Sequence, residues 1–374
     1  MSKKKKICFA FLGNFFLDSR IINLKESLEN DNCEVSVISF DWLTPKFKTY
    51  RDKSIVVHKL TKTRPSILFY LKFFIILTFE LLKTKCDIYF AENVYALPIA
   101  CIIGRLKKAK VYYNSRELYG FVGGLRNRKY IQKLMTLLEK MFINKVDLVL
   151  TTGEMDSEFL QKFYGINNTV VIRNIPKMKL PEHKIDFHKM LDIPRDQFII
   201  LYQGVLIDGR AIKLLIQNLA KIPDTVFIVI GDGEKREEFE REAKNTGVHK
   251  RVYFLGAVPH NKLINYTSAA DAGLCLIENI SVSYYYALPN KLFEYINAGV
   301  PVLSSKLPQM EKIVNEYKVG TVIDLENKHD ISSEINSFIQ NKELLAGYKK
   351  NTERAARELN WDVEYSKVKD ILLG

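Results

Sequence analysis

Short apolar runs alternate with longer stretches of helical periodicity along almost the whole chain. A parallel α/β architecture imposes this pattern, because its strands are buried on both faces and its crossovers are helices. In the first half the spacing predicts strands at 7–12, 34–39, 87–90, 110–114 and 148–151, with helices at 19–30, 65–83, 94–106 and 127–144. The second half predicts strands at 198–202, 225–230, 252–254, 272–276, 300–304 and 320–323, with helical patterns between them. A polar, patternless stretch at 177–195 follows Arg173-Asn174-Ile175-Pro176 and separates the halves. The expectation is two doubly wound, Rossmann-like domains, 1–176 and 196–357, facing across a cleft. In such sheets ligands bind beyond the carboxyl ends of the strands. No period of 20–50 residues recurs, which excludes solenoids and propellers.

The basic start and the apolar run that follows, up to Leu17, look like a secretory leader, but no small-x-small cleavage site follows. The run breaks at Asp18-Ser19-Arg20 and is read as a first buried strand. The most apolar internal stretch, 66–82, contains Lys72 and Glu80 and falls short of the ~20 uninterrupted residues of a spanning helix. A composition of 47% hydrophobic and 26% charged residues excludes collagen-like and disordered classes. Five cysteines without a CxxC pair point to a reducing cytosol, and six histidines without HExxH give no zinc signature.

Charge changes the picture. The net +13 favours nucleic acid, anionic lipid or phosphate-bearing small molecules. Nucleic acid is not expected, because the basic residues are not interleaved with aromatics in a recognised binding module. Between Lys46 and Lys85 there are ten basic residues and only two acids, Asp52 and Glu80, which is +8 of the total. Within that stretch lie Ile67-Leu68-Phe69-Tyr70-Leu71 and Phe73-Phe74-Ile75-Ile76-Leu77. This segment reads either as a helix buried beneath solvated lysines or as an apolar, basic face for an anionic membrane surface.

Three groups of residues are candidates for chemistry. In Ala287-Leu288-Pro289-Asn290-Lys291-Leu292-Phe293-Glu294, a helix over 289–298 places Lys291 and Glu294 on one face near its start. They fit a diphosphate beside Lys291 and a ribose on Glu294, or else a plain surface ion pair. Tyr202-Gln203-Gly204 through Gly209-Arg210 is a strand, a glycine turn and a helix opening with arginine. That layout suits a pyrophosphate or an ordinary βα turn. In the first half Gly13, Arg20, Glu92-Asn93 and Asn114-Ser115-Arg116-Glu117 gather at strand ends. A cation opening a helix, as Arg20 does, opposes the dipole unless an anion visits.

Together these residues resemble the retaining glycosyltransferases of family 4, which have the GT-B fold. Val111-Tyr112-Tyr113-Asn114-Ser115-Arg116-Glu117-Leu118 is similar to the family's Tyr-Asp-Ser-His-Glu-Leu segment, and 290–301 is similar to its nucleotide-binding helix and following turn. Trp361 resembles the family's last helix, here 358–374, which returns to the first domain. The resemblance implies transfer of a sugar from a nucleoside diphosphate sugar to a hydroxyl acceptor, with retention of configuration. It implies donor binding by Glu294, Gly204, Asn290, Tyr286 and Gly13, and catalytic roles for Arg210, Lys291, Arg116 and Glu117. Arg20, Glu92 and Asn93 are expected on the acceptor side.

Tyr286 stands where the family has the first Glu of its Glu-x7-Glu motif, and Arg116 where many members have His. The run Tyr284-Tyr285-Tyr286 either stacks on the donor or packs on its own domain. With no Asp-x-Asp present, no metal and no cofactor are expected, the leaving charge being met by Arg210, Lys291 and helix N-termini. The expected setting is cytoplasmic, peripheral on the membrane, with an acceptor that is lipid-linked or a cell-surface glycan precursor. Two alternatives are an inactive GT-B module that binds nucleotide sugar or lipid, and a nucleotide-sugar epimerase.

Overall fold

The computed structural model describes residues 4–64, 66–326 and 331–374. The chain divides into two compact units. One holds the residues up to Arg173 together with Tyr365–Gly374, and the other is Asn174–Glu364.

The first unit carries strands β1 (Lys6–Ala10), β2 (Glu34–Asp41), β3 (Tyr50–Arg51), β4 (Ile55–Lys59), β5 (Ile88–Ala91), β6 (Lys110–Ser115), β7 (Leu148–Thr151) and β8 (Thr169–Val171). They form one sheet in the order β3-β4-β2-β1-β5-β6-β7-β8, parallel except for β3 against β4. Its helices are α1 (Ser19–Asn30), α2 (Ser66–Lys83), α3 (Leu97–Lys107), α4 (Lys129–Ile143) and α5 (Glu154–Tyr164). The order reverses at β1, which pairs with β2 on one side and β5 on the other, Ile7 lying opposite Ile88. The side chain of Asp18 caps α1 by accepting from the Ile21 N–H at 3.2 Å, and Gly165 ends α5 at φ +69°, a conformation that glycine adopts without strain.

The second unit carries β9 (Phe198–Gln203), β10 (Thr225–Ile230), β11 (Val252–Gly256), β12 (Ala272–Cys275), β13 (Val302–Ser305) and β14 (Gly320–Ile323). They form a fully parallel sheet in the order β11-β10-β9-β12-β13-β14, so the reversal falls between β9 and β12. The helices are α6 (Phe187–Met190), α7 (Ile212–Asn218), α8 (Arg236–Asn245), α9 (His260–Thr267), α10 (Val282–Tyr285), α11 (Asn290–Asn297), α12 (Pro308–Tyr317), α13 (Ile331–Gln340), α14 (Lys342–Glu358) and α15 (Trp361–Leu373). Two apolar clusters cover the two faces of this sheet, as alternation along fully buried strands requires. The start of α15 belongs to this unit, where the Trp361 N–H donates to the Pro176 carbonyl at 3.0 Å. From Tyr365 the helix belongs to the first, where the Tyr365 hydroxyl donates to Asp31 at 2.7 Å.

The elements expected from periodicity are present, with boundaries moved for local reasons. The Asn93 side chain closes a turn by accepting from the Ala96 N–H, so α3 starts at Leu97 rather than at 94. Pro301 has no N–H to give the ladder, so β13 starts at Val302 rather than at 300. Pro289 caps α11 in an extended conformation rather than forming its first turn. Strands β3, β4 and β8 were not expected, being short or only half-buried. Pro65, the expected start of α2, and His329 lie outside the described residues.

Candidate functional site

In the second unit the loops after β9, β10 and β11 lie backbone against backbone, on the β9 side of the reversal of strand order. The Gly204 N–H donates to the Ile230 carbonyl at 3.0 Å and the Gly231 N–H to the Gly256 carbonyl at 2.8 Å. A Cβ on Gly231 would sit 1.9 Å from the Gly204 carbonyl oxygen, so this approach requires glycine. Beside Gly204 lies the side chain of Lys291, from the first turn of α11, its Nζ 3.6 Å from where a Cβ on Gly204 would sit. Its ammonium lies 3.7 Å from the centroid of the Tyr202 ring. The side chain is buried and its Nζ has no hydrogen-bond partner. Burial pushes its pKa down to about 7; Arg210 adds to that, against Cys275 and Glu294. A buried amine with an empty donor shell beside exposed Gly204 is fitted to receive an oxyanion, whose charge would restore the proton.

Arg210 stands 4.8 Å over the Tyr284 ring. Its loop is fixed by Glu278, which accepts from the Ala211 N–H at 3.2 Å and donates its own N–H to the Gly209 carbonyl at 3.1 Å. Gly209, at φ +77°, lies so close to Tyr284 that a Cβ would come within 2.6 Å of that ring. One turn beyond Lys291, Glu294 accepts from Gln203 Nε2 through one carboxylate oxygen. Asn290, exposed, is the first residue of α11. Tyr286 packs against Tyr285 and offers its carbonyl to Gln309, so within the tyrosine run it is Tyr284 that meets Arg210.

In the first unit the strand-end residues form a buried charge cluster at the reversal between β1 and β5. Arg116 pairs with Asp18 and, at 3.1 Å, with Glu92; Asn114 also donates to Glu92 at 2.8 Å. Glu92 is fully buried with its Oε1 unpartnered, and burial holds its carboxyl above the usual range against the pull of Arg116 and Arg20. Arg116 loses some basicity to burial, but Asp18 and Glu92 outweigh that and raise its pKa. Arg20 is buried, donates to the Ile172 carbonyl at 3.0 Å and lies in the field of Asp18 and Glu92, carboxylates that offset its opposition to the α1 dipole, while its Nε has no hydrogen-bond partner. Burial is the main cause that lowers its pKa to about 10. Asn93 donates to the Leu12 carbonyl at 3.2 Å, Gly13 accepts from the Phe40 N–H, and Glu117 is exposed.

The structure thus brings Gly204, Arg210, Lys291 and Glu294 together in one unit, and Arg20, Glu92 and Arg116 together in the other. Sequence reasoning passed over Glu278, and it named Tyr202, Gln203 and Tyr284 only within their runs, without a role for each. Gln203 had a signal, being polar at the end of an apolar strand, but nothing local pairs it with a carboxylate 91 residues away.

Two Rossmann-like units, the second with the unpartnered Lys291 Nζ beside Gly204, define a protein of the doubly wound α/β class. Two family models then cover most of the chain: Glycosyltransferase Family 4 matches residues 18–175 and Glycosyl transferases group 1 matches residues 183–355. The chain belongs to the glycosyltransferases built from this pair of domains, with the GT-B fold. The lipopolysaccharide core biosynthesis glycosyltransferase LpsE of Rhizobium meliloti is 23% identical over 41% of this chain and 43% of its own length, so the match spans less than half of that relative. The chitobiosyldiphosphodolichol beta-mannosyltransferase of Debaryomyces hansenii is 22% identical over 94% of this chain and 82% of its own. HepE of Anabaena, solved with UDP-glucose, shares the fold at a TM-score of 0.72 and 17% identity, over 98% of this chain and 99% of HepE.

Proposed function

We propose that the protein transfers a sugar from a nucleoside diphosphate sugar to a hydroxyl acceptor, with retention of configuration. The observation that carries this reading is the buried, unpartnered Lys291 Nζ beside Gly204, with Arg210 and Glu294 close enough for their charges to act on it. In this reading Lys291 and Arg210 meet the diphosphate and stabilise the charge that develops as it leaves. Glu294, one carboxylate oxygen already committed to Gln203, accepts from ribose hydroxyls with the other. The UDP-glucose bound to HepE supports a uridine nucleotide as the first donor to try. The leaving phosphate takes the acceptor proton on the face it departs from, and no covalent nucleophile is invoked. Two cations already oppose the leaving charge, so transfer needs no metal and survives EDTA.

The test is a thermal-shift panel of UDP, GDP, ADP and their sugars, followed by product analysis. A ligand at 100 times its Kd stabilises by about 2.7 kcal/mol. Glu294→Ala weakens nucleotide binding, whereas Arg210→Ala lowers turnover by roughly 10²–10³, the usual loss of one charge-stabilising donor. Wild-type affinity and turnover in both variants would overturn the assignment.

We infer further that the acceptor is lipid-linked and that the first unit works against an anionic membrane surface. Helices α2, α3 and α4 pack side by side, and apolar side chains stand exposed on all three: Ile67, Leu71, Ile75 and Phe79; Leu106; Leu134, Leu137 and Met141. Every charged side chain these helices expose is basic, while their two acids, Glu80 and Glu139, are buried. Apolar stripes flanked only by cations suit an interfacial helix layer on anionic lipid. The diphosphodolichol in the name of the Debaryomyces relative supports a lipid-linked acceptor.

A further inference from the structure

Gln203 ends β9 and is almost fully buried. Its Nε2 donates to Glu294 Oε2, and its Oε1 accepts from the Thr267 hydroxyl at 2.7 Å. The orientation of this amide follows from the chemistry of its neighbours. An ionised carboxylate only accepts, so the NH₂ must face Glu294, which leaves the amide oxygen to meet the one hydroxyl proton of Thr267. Its main chain is fixed as well. The Gln203 N–H donates to the Tyr295 hydroxyl at 3.1 Å, and that hydroxyl donates to the Leu201 carbonyl at 3.0 Å. The residue that holds Glu294 is therefore held at both of its own ends, by Thr267 of α9 and Tyr295 of α11.

We propose that Gln203 is a positioning residue that holds one oxygen of Glu294 so that the other is presented to the vicinal hydroxyls of the nucleotide ribose. This rests on the reading of Glu294 as the ribose-binding carboxylate. Of the two oxygens, one is engaged with Gln203 and the other is left to accept, which suits a neighbouring pair of sugar hydroxyls. Without Gln203 the carboxylate swings among rotamers and must be ordered by the nucleotide itself, at a cost in affinity. That cost falls on nucleotides that carry the hydroxyls and leaves untouched those that lack them.

Gln203→Leu is a clean probe. It leaves the main-chain bond to Tyr295 in place, and the Thr267 hydroxyl keeps a second acceptor, the Leu263 carbonyl at 2.9 Å. Gln203→Glu, nearly the same size, turns a second carboxylate toward Glu294 and serves if the leucine variant does not fold. Wild type, each variant, Glu294→Ala and the Gln203→Leu/Glu294→Ala double variant are titrated calorimetrically. The ligands are whichever of UDP, GDP and ADP wild type binds best, and the 2′,3′-dideoxy form of the same nucleotide. Wild type is expected to prefer the ribose form by about tenfold or more. Gln203→Leu loses most of that preference while its affinity for the dideoxy form stays within about twofold, and in the Glu294→Ala background it changes neither affinity.

A wild-type preference retained in Gln203→Leu overturns the proposal. Equal loss of both affinities also overturns it, since a merely structural residue behaves that way. A wild type that binds no nucleotide, or binds both forms equally, overturns the reading of Glu294 and the proposal with it, and is told apart because the failure is already present before any substitution.

Discussion

Burial pushes the pKa of Lys291 down to about 7, and the pH dependence expected of stability and of anion binding follows from that. Its pKa of about 7 means that the folded protein releases this proton where the unfolded chain, with the ordinary value of 10.5, still holds it. Between those values the unfolded state binds more protons, so the contribution of this site to stability rises with pH from 7 toward 10.5. Below 7 the folded protein carries a buried cation without a hydrogen-bond partner, and the penalty is complete. Lys291→Met removes the penalty, so the variant should melt above wild type at pH 6.5, with the gap narrowing as pH rises past 8. A diphosphate pulls the equilibrium the other way. Nucleotide binding at pH 8 should take up close to one proton, seen as a binding enthalpy that depends on the ionisation enthalpy of the buffer, and affinity should fall as pH rises above 7. A Lys291→Met variant with unchanged melting and unchanged pH dependence would place the ammonium in water.

Helix α4 shows how an element is held by one buried acid and what the sequence hides. Glu139 is buried and accepts from the Tyr113 hydroxyl of β6 and, at 2.8 Å, from the Tyr164 hydroxyl of α5, so one carboxylate ties the helix to a strand and to its neighbour. Burial raises its pKa, against the pull of the two tyrosines. Tyr164→Phe removes one bond to this acid and should lower the stability of the first unit by about 1–2 kcal/mol, read as a lower denaturant midpoint with an unchanged slope. An unshifted midpoint would mean that water replaces the tyrosine. None of this was legible in sequence, because Glu139, Tyr113 and Tyr164 meet only through the packing of α4 on β6 and α5. The same holds for Gln203 with Glu294, and for the pairing of Arg116 with Asp18 and Glu92. What periodicity and turn chemistry made legible is local: the long buried strands, the helices between them and the Lys291–Glu294 spacing. Two-residue β3 and half-buried β4 and β8 leave too weak an apolar signal to be seen.

At the scale of the whole molecule, the net +13 is not spread evenly. The stretch from Lys46 to Lys85 holds +8 of it, and α2, within that stretch, lies beside α3, which in turn lies beside α4; the exposed charges of α3 and α4 are also all basic. The sequence drew attention to α2 alone, whereas the structure adds α3 and the stripe Ile131, Leu134, Leu137 and Met141 on α4, which an amphipathic pattern would have assigned to the core. Exposed apolar residues gathered on neighbouring helices gain nothing from folding, and a patch of them suits a second surface that covers it. Each lysine or arginine near an anionic bilayer contributes about 1 kcal/mol, screened by salt, while buried apolar area contributes independently of salt. The protein should therefore sediment with anionic vesicles at low ionic strength, be released only in part by high salt, and stay in the supernatant with neutral vesicles. Ile75→Glu with Leu137→Glu should weaken sedimentation strongly without lowering the melting temperature, because both side chains are about half exposed, at 48% and 53%. Equal recovery in the supernatant under all three conditions would sink the membrane reading and leave a soluble acceptor. Sedimentation unaffected by the double substitution would move the contact away from this helix layer, because the basic residues would then suffice without its apolar stripes.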